Sequence, residues 1–211
     1  MRRSVQRKSV RALPSDMQLE TVVGDALAGF IPDLARLRMT VFREYPYLYD
    51  GSEAYEADYL RTYTASGKAI AVLARDGDAI VGASTGIPLA AETEAFVRPF
   101  EALGLDPATV FYCGESVLLP PWRGRGIYRA FFEAREAYAR QLGGMSWMSF
   151  CGVVRPENHP LRPAHWEPLD AVWRRFGYAP EPKLRTSYAW KDIDQPDSTE
   201  HPMQFWLKPL G

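Results

Sequence analysis

Hydrophobic positions along the chain follow two rhythms. MQLETVVGD alternates briefly, as a first strand would. From Ala26 to about Arg43 the apolar residues fall at three- and four-residue steps, through Leu27, Phe30, Ile31, Leu34, Leu37 and Val41, which predicts a helix. Pro32 stands where it would split that helix. A second helix is expected from Ser52 to about Thr64, after the tyrosine-rich loop EYPYLYDG. Continuous apolar runs follow. KAIAVLARDGDAIVGASTGIPL reads as a β-hairpin, because Asp76-Gly77-Asp78 sets a glycine that tolerates positive φ between two strand-like runs. AETEAFVRPFEALG predicts a short helix interrupted at Pro99, and ATVFYCGESVLLP a single strand.

From about Gly126 to Leu142 the helical rhythm returns. Ile127, Phe131, Ala134, Tyr138 and Leu142 form one apolar stripe, with Arg129, Glu133, Arg135, Glu136 and Arg140 mostly outside it. SWMSFCGVV is another buried strand. A long proline-bearing loop then leads to LDAVWRRFG, a short helix ending at Gly177, and LRTSYAWKDI and MQFWLKPL close the chain as strands. No repeat or linker interrupts this order. It predicts one domain over residues 16–211, of α/β or α+β class around a mixed sheet.

The least ordinary stretch is ESVLLPPWRGRGIYRAFFEAREAYARQLGG, residues 115–144. Two prolines end an apolar run, and Arg123-Gly124-Arg125-Gly126 opens the helix. Each glycine costs a helix roughly 1 kcal/mol against alanine, so their place calls for a reason. The first turn of a helix leaves N–H groups unpaired and carries partial positive charge. Gly124 and Gly126 let a ligand's oxygens reach that backbone, and Arg123, Arg125 and Arg129 add charge. The combination suits a phosphate or pyrophosphate. The plainer alternative is a glycine-containing loop with solvated arginines. Neither a Walker loop nor a dinucleotide-binding glycine fingerprint is present.

Composition narrows the field. Hydrophobic residues make up 46% and charged residues 24%, as in ordinary globular chains, and a net charge of −1 gives no reason to expect nucleic acid or a membrane surface as partner. Arg2, Arg3, Arg7, Lys8 and Arg11 are five of the 25 basic residues and face no acid in residues 1–15. That basic head is expected to be a disordered tail, with a transit peptide as the alternative. No apolar stretch approaches the roughly 20 residues of a membrane-spanning helix. Cys113 and Cys151, in apolar strand-like segments, are expected to be reduced and buried in a cytoplasmic protein. His159, His165 and His201 lack metal-like spacing, so no metal is expected.

At residues 123–128 the sequence resembles the GCN5-related N-acetyltransferases, the GNAT superfamily. That family binds acyl-CoA through glutamine or arginine, two residues, glycine, one residue, then glycine or alanine. Arg123, Gly124, Arg125, Gly126 and Ile127 match this pattern, and Tyr128 departs from it by placing a phenol beside the pyrophosphate site. The RDGDAIVGAS hairpin, the order of elements from residue 18 to 208, and AVWRRFGY also resemble the family, with an extra segment at about 91–107. The resemblance implies a mixed, mostly antiparallel sheet of about seven strands flanked by helices and splayed between the strands at 110–119 and 146–154. It implies transfer of an acetyl group from acetyl-CoA, as co-substrate, to an amine of a small molecule or peptide. Backbone groups of Val117 and Leu118 would hold the pantetheine arm. The amides from Gly124 to Tyr128 would hold the pyrophosphate. Asn158 stands where the family often has a CoA-contacting asparagine, although a turn residue before His159-Pro160 explains it equally. A module that binds or senses acyl-CoA without transfer is the alternative within the same fold.

Acyl transfer to an amine needs a base for the ammonium proton and an N–H donor for the thioester oxygen as it gains charge. Glu115 is the candidate base. As part of one strand it shares parity with Phe111, Cys113, Val117 and Leu119, which puts its carboxylate on an apolar face where burial would raise its pKa. A structural ion pair, or a strand irregularity after Gly114, is the competing explanation. His159 or His165 could serve instead. Trp173 stands where the family has a thiolate-protonating tyrosine, so Tyr128 becomes the candidate acid, with Tyr178 or solvent as substitutes. Tyr45, Tyr47 and Tyr49 fall in the loop that in this family borders the acceptor, where they could hold an amine by cation–π contact or simply pack over the core edge. The last segment, with Phe205 and Trp206, is either the interface strand of a homodimer or the strand that closes the sheet.

Overall fold

A computed structural model describes residues 17–211. The basic head and the expectation attached to it lie outside the described residues. Apolar runs with turn residues between them make the first half of the sheet. β1 (Met17–Val23) pairs antiparallel with β2 (Ile70–Asp76), and β2 with β3 (Ala79–Pro88) through a turn in which Gly77 takes φ 57°. β2 is buried on both faces, Ala71 and Leu73 on one and Ile70 and Val72 on the other, which explains its unbroken apolar run. The helices α1 (Ile31–Phe42) and α2 (Glu53–Thr64) cover the first face. Pro32 does not split a helix but starts one. A 3₁₀ turn over Gly24–Phe30 precedes it, and the proline occupies the first turn of α1, where its missing N–H has no partner to lose. Ser52 caps α2 by accepting from the Tyr55 N–H at 3.3 Å.

The short helix after β3, α3 (Glu94–Ala102), runs through Pro99 instead of breaking there. A proline removes the hydrogen bond to the carbonyl four residues back. That carbonyl, Ala95 O, accepts instead from the Thr186 hydroxyl of a later strand at 2.7 Å. The bond ties α3 to the sheet.

The expected single strand at 108–120 is two, β4 (Val110–Tyr112) and β5 (Ser116–Leu118), so the sheet has eight strands among the described residues where about seven were expected. Ile87 pairs with Tyr112 and Ser84 with Ser116, which leaves three residues, Cys113–Glu115, opposite two, Thr85 and Gly86. The extra residue makes a β-bulge. Its position belongs to glycine: a Cβ on Gly114 would lie 1.9 Å from the Tyr63 hydroxyl. The bulge also inverts parity. Val117 joins Val110 and Tyr112 on the α1/α2 face, while Leu118 joins Phe111 and Cys113 on the other. Glu115 therefore does not share a face with Phe111 and Cys113.

After β5 come α4 (Ile127–Leu142), β6 (Trp147–Val153), α5 (Asp170–Arg175), β7 (Ala179–Lys191) and β8 (Ser198–Pro209), in the sheet order β1-β2-β3-β4-β6-β8-β7. The pairing of β4 with β6 is parallel and the rest antiparallel. α4 and α5 cover the second face of the sheet, where Ile127, Phe131 and Phe132 pack on Phe111, Met148 and Phe150. Two charged residues expected outside the α4 stripe are buried. Arg135 is 1% exposed and donates to the carbonyls of Thr85 and Glu115 and to Ser116 Oγ, and Glu136 is gripped by Lys208 Nζ at 2.7 Å. Phe205 and Trp206 are buried within β8, an interior strand that pairs with β6 on one side and β7 on the other.

Candidate active site

The sheet comes apart beyond the bulge. β4 follows β6 as far as Tyr112↔Ser149, with one last bond from the Cys113 N–H to Ser149 O at 2.7 Å. From there, among the described residues, β5 pairs only with β3, and the rest of β6 only with β8. The splay therefore lies between residues 116–118 and 150–153. Antiparallel pairing alternates inward and outward backbone groups. Thr85 N–H donates to Glu115 O and Leu119 N–H to Val81 O, so Val117, between Glu115 and Leu119, also turns its backbone toward β3. Ser116 and Leu118 face the gap instead. The backbone groups that face the gap are therefore those of Ser116 and Leu118, whereas those of Val117 are taken up by β3. The Leu118 carbonyl already accepts from Arg123 Nε at 2.9 Å.

At the far end of β5 the loop turns into α4 through two glycines in left-handed conformation, Gly124 at φ 75° and Gly126 at φ 89°. Gly126 is the N-cap of α4 and supplies no side chain, so the first amides of the helix, from Ile127 onward, have no side-chain cap. Nothing lies within 4 Å of a Cβ placed on Gly124, so its glycine serves conformation and access rather than tight packing. Arg125 and Arg129 are exposed beside these amides. Arg123 is not free to join them: its Nη1 and Nη2 hold Glu44 at 2.8 and 3.1 Å, which fastens the loop to the end of α1. Tyr128 accepts a hydrogen bond from Trp173 Nε1 at 3.0 Å, leaving its own O–H free to donate. Burial raises the Tyr128 pKa, so the phenol keeps its proton. Asn158 sits in an exposed turn after β6.

The near end of the gap opens on a cleft on the α1/α2 face. Gly114 of the bulge and Cys151 of β6 form its floor, and aromatic side chains from α1, α2, α3, β4, β7 and the α1–α2 loop form its walls. Tyr47 and Tyr49 line it. Tyr45 does not: it packs against Trp166 and His159 of the long 155–168 loop, with ring centroids 4.8 and 5.8 Å away. Phe96 brings the 91–107 segment into the wall. Burial pushes the Cys151 thiol up to about 12, and it hydrogen-bonds with the Tyr112 hydroxyl at 3.1 Å.

Glu115 is buried behind Arg38 and Tyr59, which line the cleft, and its surroundings are ionic rather than apolar. Its Oε2 accepts from Arg38 Nη1 at 2.8 Å and from the Tyr59 hydroxyl at 3.3 Å, while its Oε1 is buried without a partner. Arg38 also donates from Nε to Glu56 at 2.5 Å, and its guanidinium carbon lies 3.9 Å from the centre of the Tyr59 ring. Burial works against the Arg38 charge, and Glu115, Tyr59 and Glu56 more than restore it. His159 and His165 are remote from this cluster in their loop: neither lines the cleft.

Arg38, Glu56 and Tyr59 form the cluster around Glu115, and the hydrophobic pattern did not single them out. A signal was present. Arg38 falls on the buried side of α1 beside Leu34 and Leu37, and Glu56, with Leu60 and Tyr63, forms the buried stripe of α2. A charge on an apolar stripe needs a buried partner. Tyr188 and Trp190, contributed by β7, carried no local signal at all.

No protein-family model matches the chain, and no curated protein matches it in sequence. Solved structures do match it in shape. The chain is similar to NAA60 from Arabidopsis thaliana, solved in complex with acetyl-CoA, at 12% identity and TM-score 0.59 over 92% of this chain and 98% of that one. It is similar to a ribosomal-protein-alanine N-acetyltransferase from Brucella melitensis, at 13% identity and TM-score 0.58 over 91% and 99%. The protein yncA from Salmonella typhimurium, solved with its cofactor acetyl-CoA, matches at 8% identity and TM-score 0.58 over 93% and 95%.

Proposed function

With the GNAT fold as premise, we propose that this protein transfers an acetyl group from acetyl-CoA to an amine by direct attack. The observation that carries this reading is the gap along β5. It runs from the glycine-opened terminus of α4 to the bulge at Gly114, behind which the aromatic cleft lies. Two of the similar structures were solved with acetyl-CoA. The amides from Gly124 to Tyr128 hold the pyrophosphate, with Arg125 and Arg129 adding charge. The outward backbone of Ser116 and Leu118 lies beside the pantetheine arm like an added strand. The thioester then comes to the bulge and the amine to the cleft.

Glu115, buried behind the cleft lining, takes the proton of the ammonium through water, while Arg38 and Tyr59 fix one of its oxygens and so the orientation of the carboxylate. The freed amine nitrogen attacks the acyl carbon, whose oxygen gains charge against a backbone N–H. The C–S bond breaks, the nitrogen gives up its second proton to water, and the thiolate takes a proton from the free O–H of Tyr128 or from water. Trp173, which occupies the position of the family's usual acid, acts through Tyr128 by holding its oxygen. Buried, free Cys113 and Cys151 fit a cytoplasmic protein.

Isothermal titration with acetyl-CoA tests the reading. The wild type binds, and Arg125→Glu with Arg129→Glu binds at least tenfold more weakly at an unchanged melting temperature, since both side chains are exposed. CoA release then appears when amines are added. A folded wild type that does not bind acetyl-CoA sinks the proposal. Binding without release from any amine makes the protein a sensing module.

A further inference from the structure

Side chains stand between Glu115 and the cleft. Glu115 is 4% exposed and does not line the cleft. Its Oε1 is buried without a hydrogen-bond partner among the described residues. Its Oε2 is covered by two groups that do line the cleft, Arg38 at 2.8 Å and the Tyr59 hydroxyl at 3.3 Å. A proton that moves from the cleft to this oxygen passes one of those two. A guanidinium offers N–H donors only, stays charged and has no lone pair to receive a proton. A phenol differs, because its oxygen accepts while its O–H donates.

The Tyr59 hydroxyl also stands at the reacting end of the gap. It lies 3.4 Å from the Tyr63 hydroxyl, which in turn lies 1.9 Å from where a Cβ on Gly114 would be. Gly114 is the bulge residue on the cleft floor. The Tyr59 ring rests on the Arg38 guanidinium, 3.9 Å from its central carbon, which fixes the phenol in place. Burial, and next the charge of Glu115, raise the Tyr59 pKa well above the ordinary phenol value, so the hydroxyl keeps its proton between turnovers.

We propose that Tyr59 is the proton-transfer residue between the cleft and Glu115. This rests on the acetyltransferase reading. The proton that the ammonium gives to water is handed to the Tyr59 oxygen as the Tyr59 O–H proton moves to Glu115 Oε2. Water and phenol each gain one proton and lose one. The amine leaves the step neutral, and Glu115 alone ends protonated.

The test follows CoA release from acetyl-CoA with 2-phenylethylamine, spermidine and an alanine-leading tripeptide as probe amines. It compares the wild type with Tyr59→Phe, Glu115→Gln and the double variant. Phenylalanine keeps the ring on Arg38 and removes only the hydroxyl. With the probe that the wild type turns over fastest, Tyr59→Phe is expected to lower kcat/KM about tenfold or more. Acetyl-CoA affinity by titration and the melting temperature are expected to stay as they are. Groups on one route act as a unit, so the double variant is expected to be no slower than Glu115→Gln. In mixtures of light and heavy water the wild-type rate is expected to curve with deuterium content, because several protons move together. That curve flattens in Tyr59→Phe, whereas a phenol that only orients the carboxylate would leave it unchanged. The proposal is overturned by a Tyr59→Phe rate within about threefold of wild type, by single effects that multiply in the double variant, or by an unchanged curve. The two readings fail separately. A wild type that releases no CoA with any probe ends the transfer reading and this one with it, whereas release that survives loss of the hydroxyl removes only Tyr59.

Discussion

The two ends of the β5 gap are built from different materials. The α4 end is backbone: two left-handed glycines, uncapped amides and exposed arginines, all within a few residues of one another. The cleft end is side chain, drawn from α1, α2, α3, the bulge and β7, with its charges buried and paired. The difference teaches where each end is vulnerable. A backbone site tolerates changes of side chain but not of dihedral angle. A side-chain site depends on its charges remaining matched.

Arg38→Met probes the contrast hardest. It strands Glu56 and Glu115 in the interior, and loss of one partner from a buried ion pair costs about 3–5 kcal/mol. Urea unfolding should show a destabilisation of that size, partly recovered when Glu56→Gln is added. A change below about 1 kcal/mol would mean that water reaches the cluster and that the cleft end is not dry. Gly126→Ala comes next. A non-glycine residue at left-handed φ costs about 1–2 kcal/mol, and the same displacement of the helix amides should weaken acetyl-CoA at least fivefold. If stability falls and acetyl-CoA affinity does not, the amides are not the anion site. Glu44→Gln is the mildest. Its pair with Arg123 is nearly half exposed on both sides, so stability should move by less than about 1 kcal/mol. A larger loss would show that the loop depends on side chains after all.

The same division decided what could be read from the chain. The α4 loop was legible because glycine and arginine within one turn have a local physical meaning, and the helices and the hairpin because their apolar rhythm is local too. The bulge was not. One extra residue in an apolar run leaves the composition unchanged and reverses the face of everything after it, so Val117 and Glu115 were assigned to the wrong side. Arg135 and Glu136 looked like surface residues because their partners, Thr85 and Lys208, stand 50 and 72 residues away. Ser116 was missed for the same reason as the bulge, and Tyr188 and Trp190 because only the sheet order brings β7 to the cleft.

Arg135 carries one more consequence. It secures the bulge by bonding to the carbonyls of Thr85 and Glu115, groups every residue possesses. The fastening is therefore indifferent to which side chains stand at those two positions. A descendant of this chain that exchanges the residue at 115 must rematch the charge of Arg38, but the main-chain bonds that hold the break in the strand stay as they are. The shape of the strand and the charge beside it are inherited separately here.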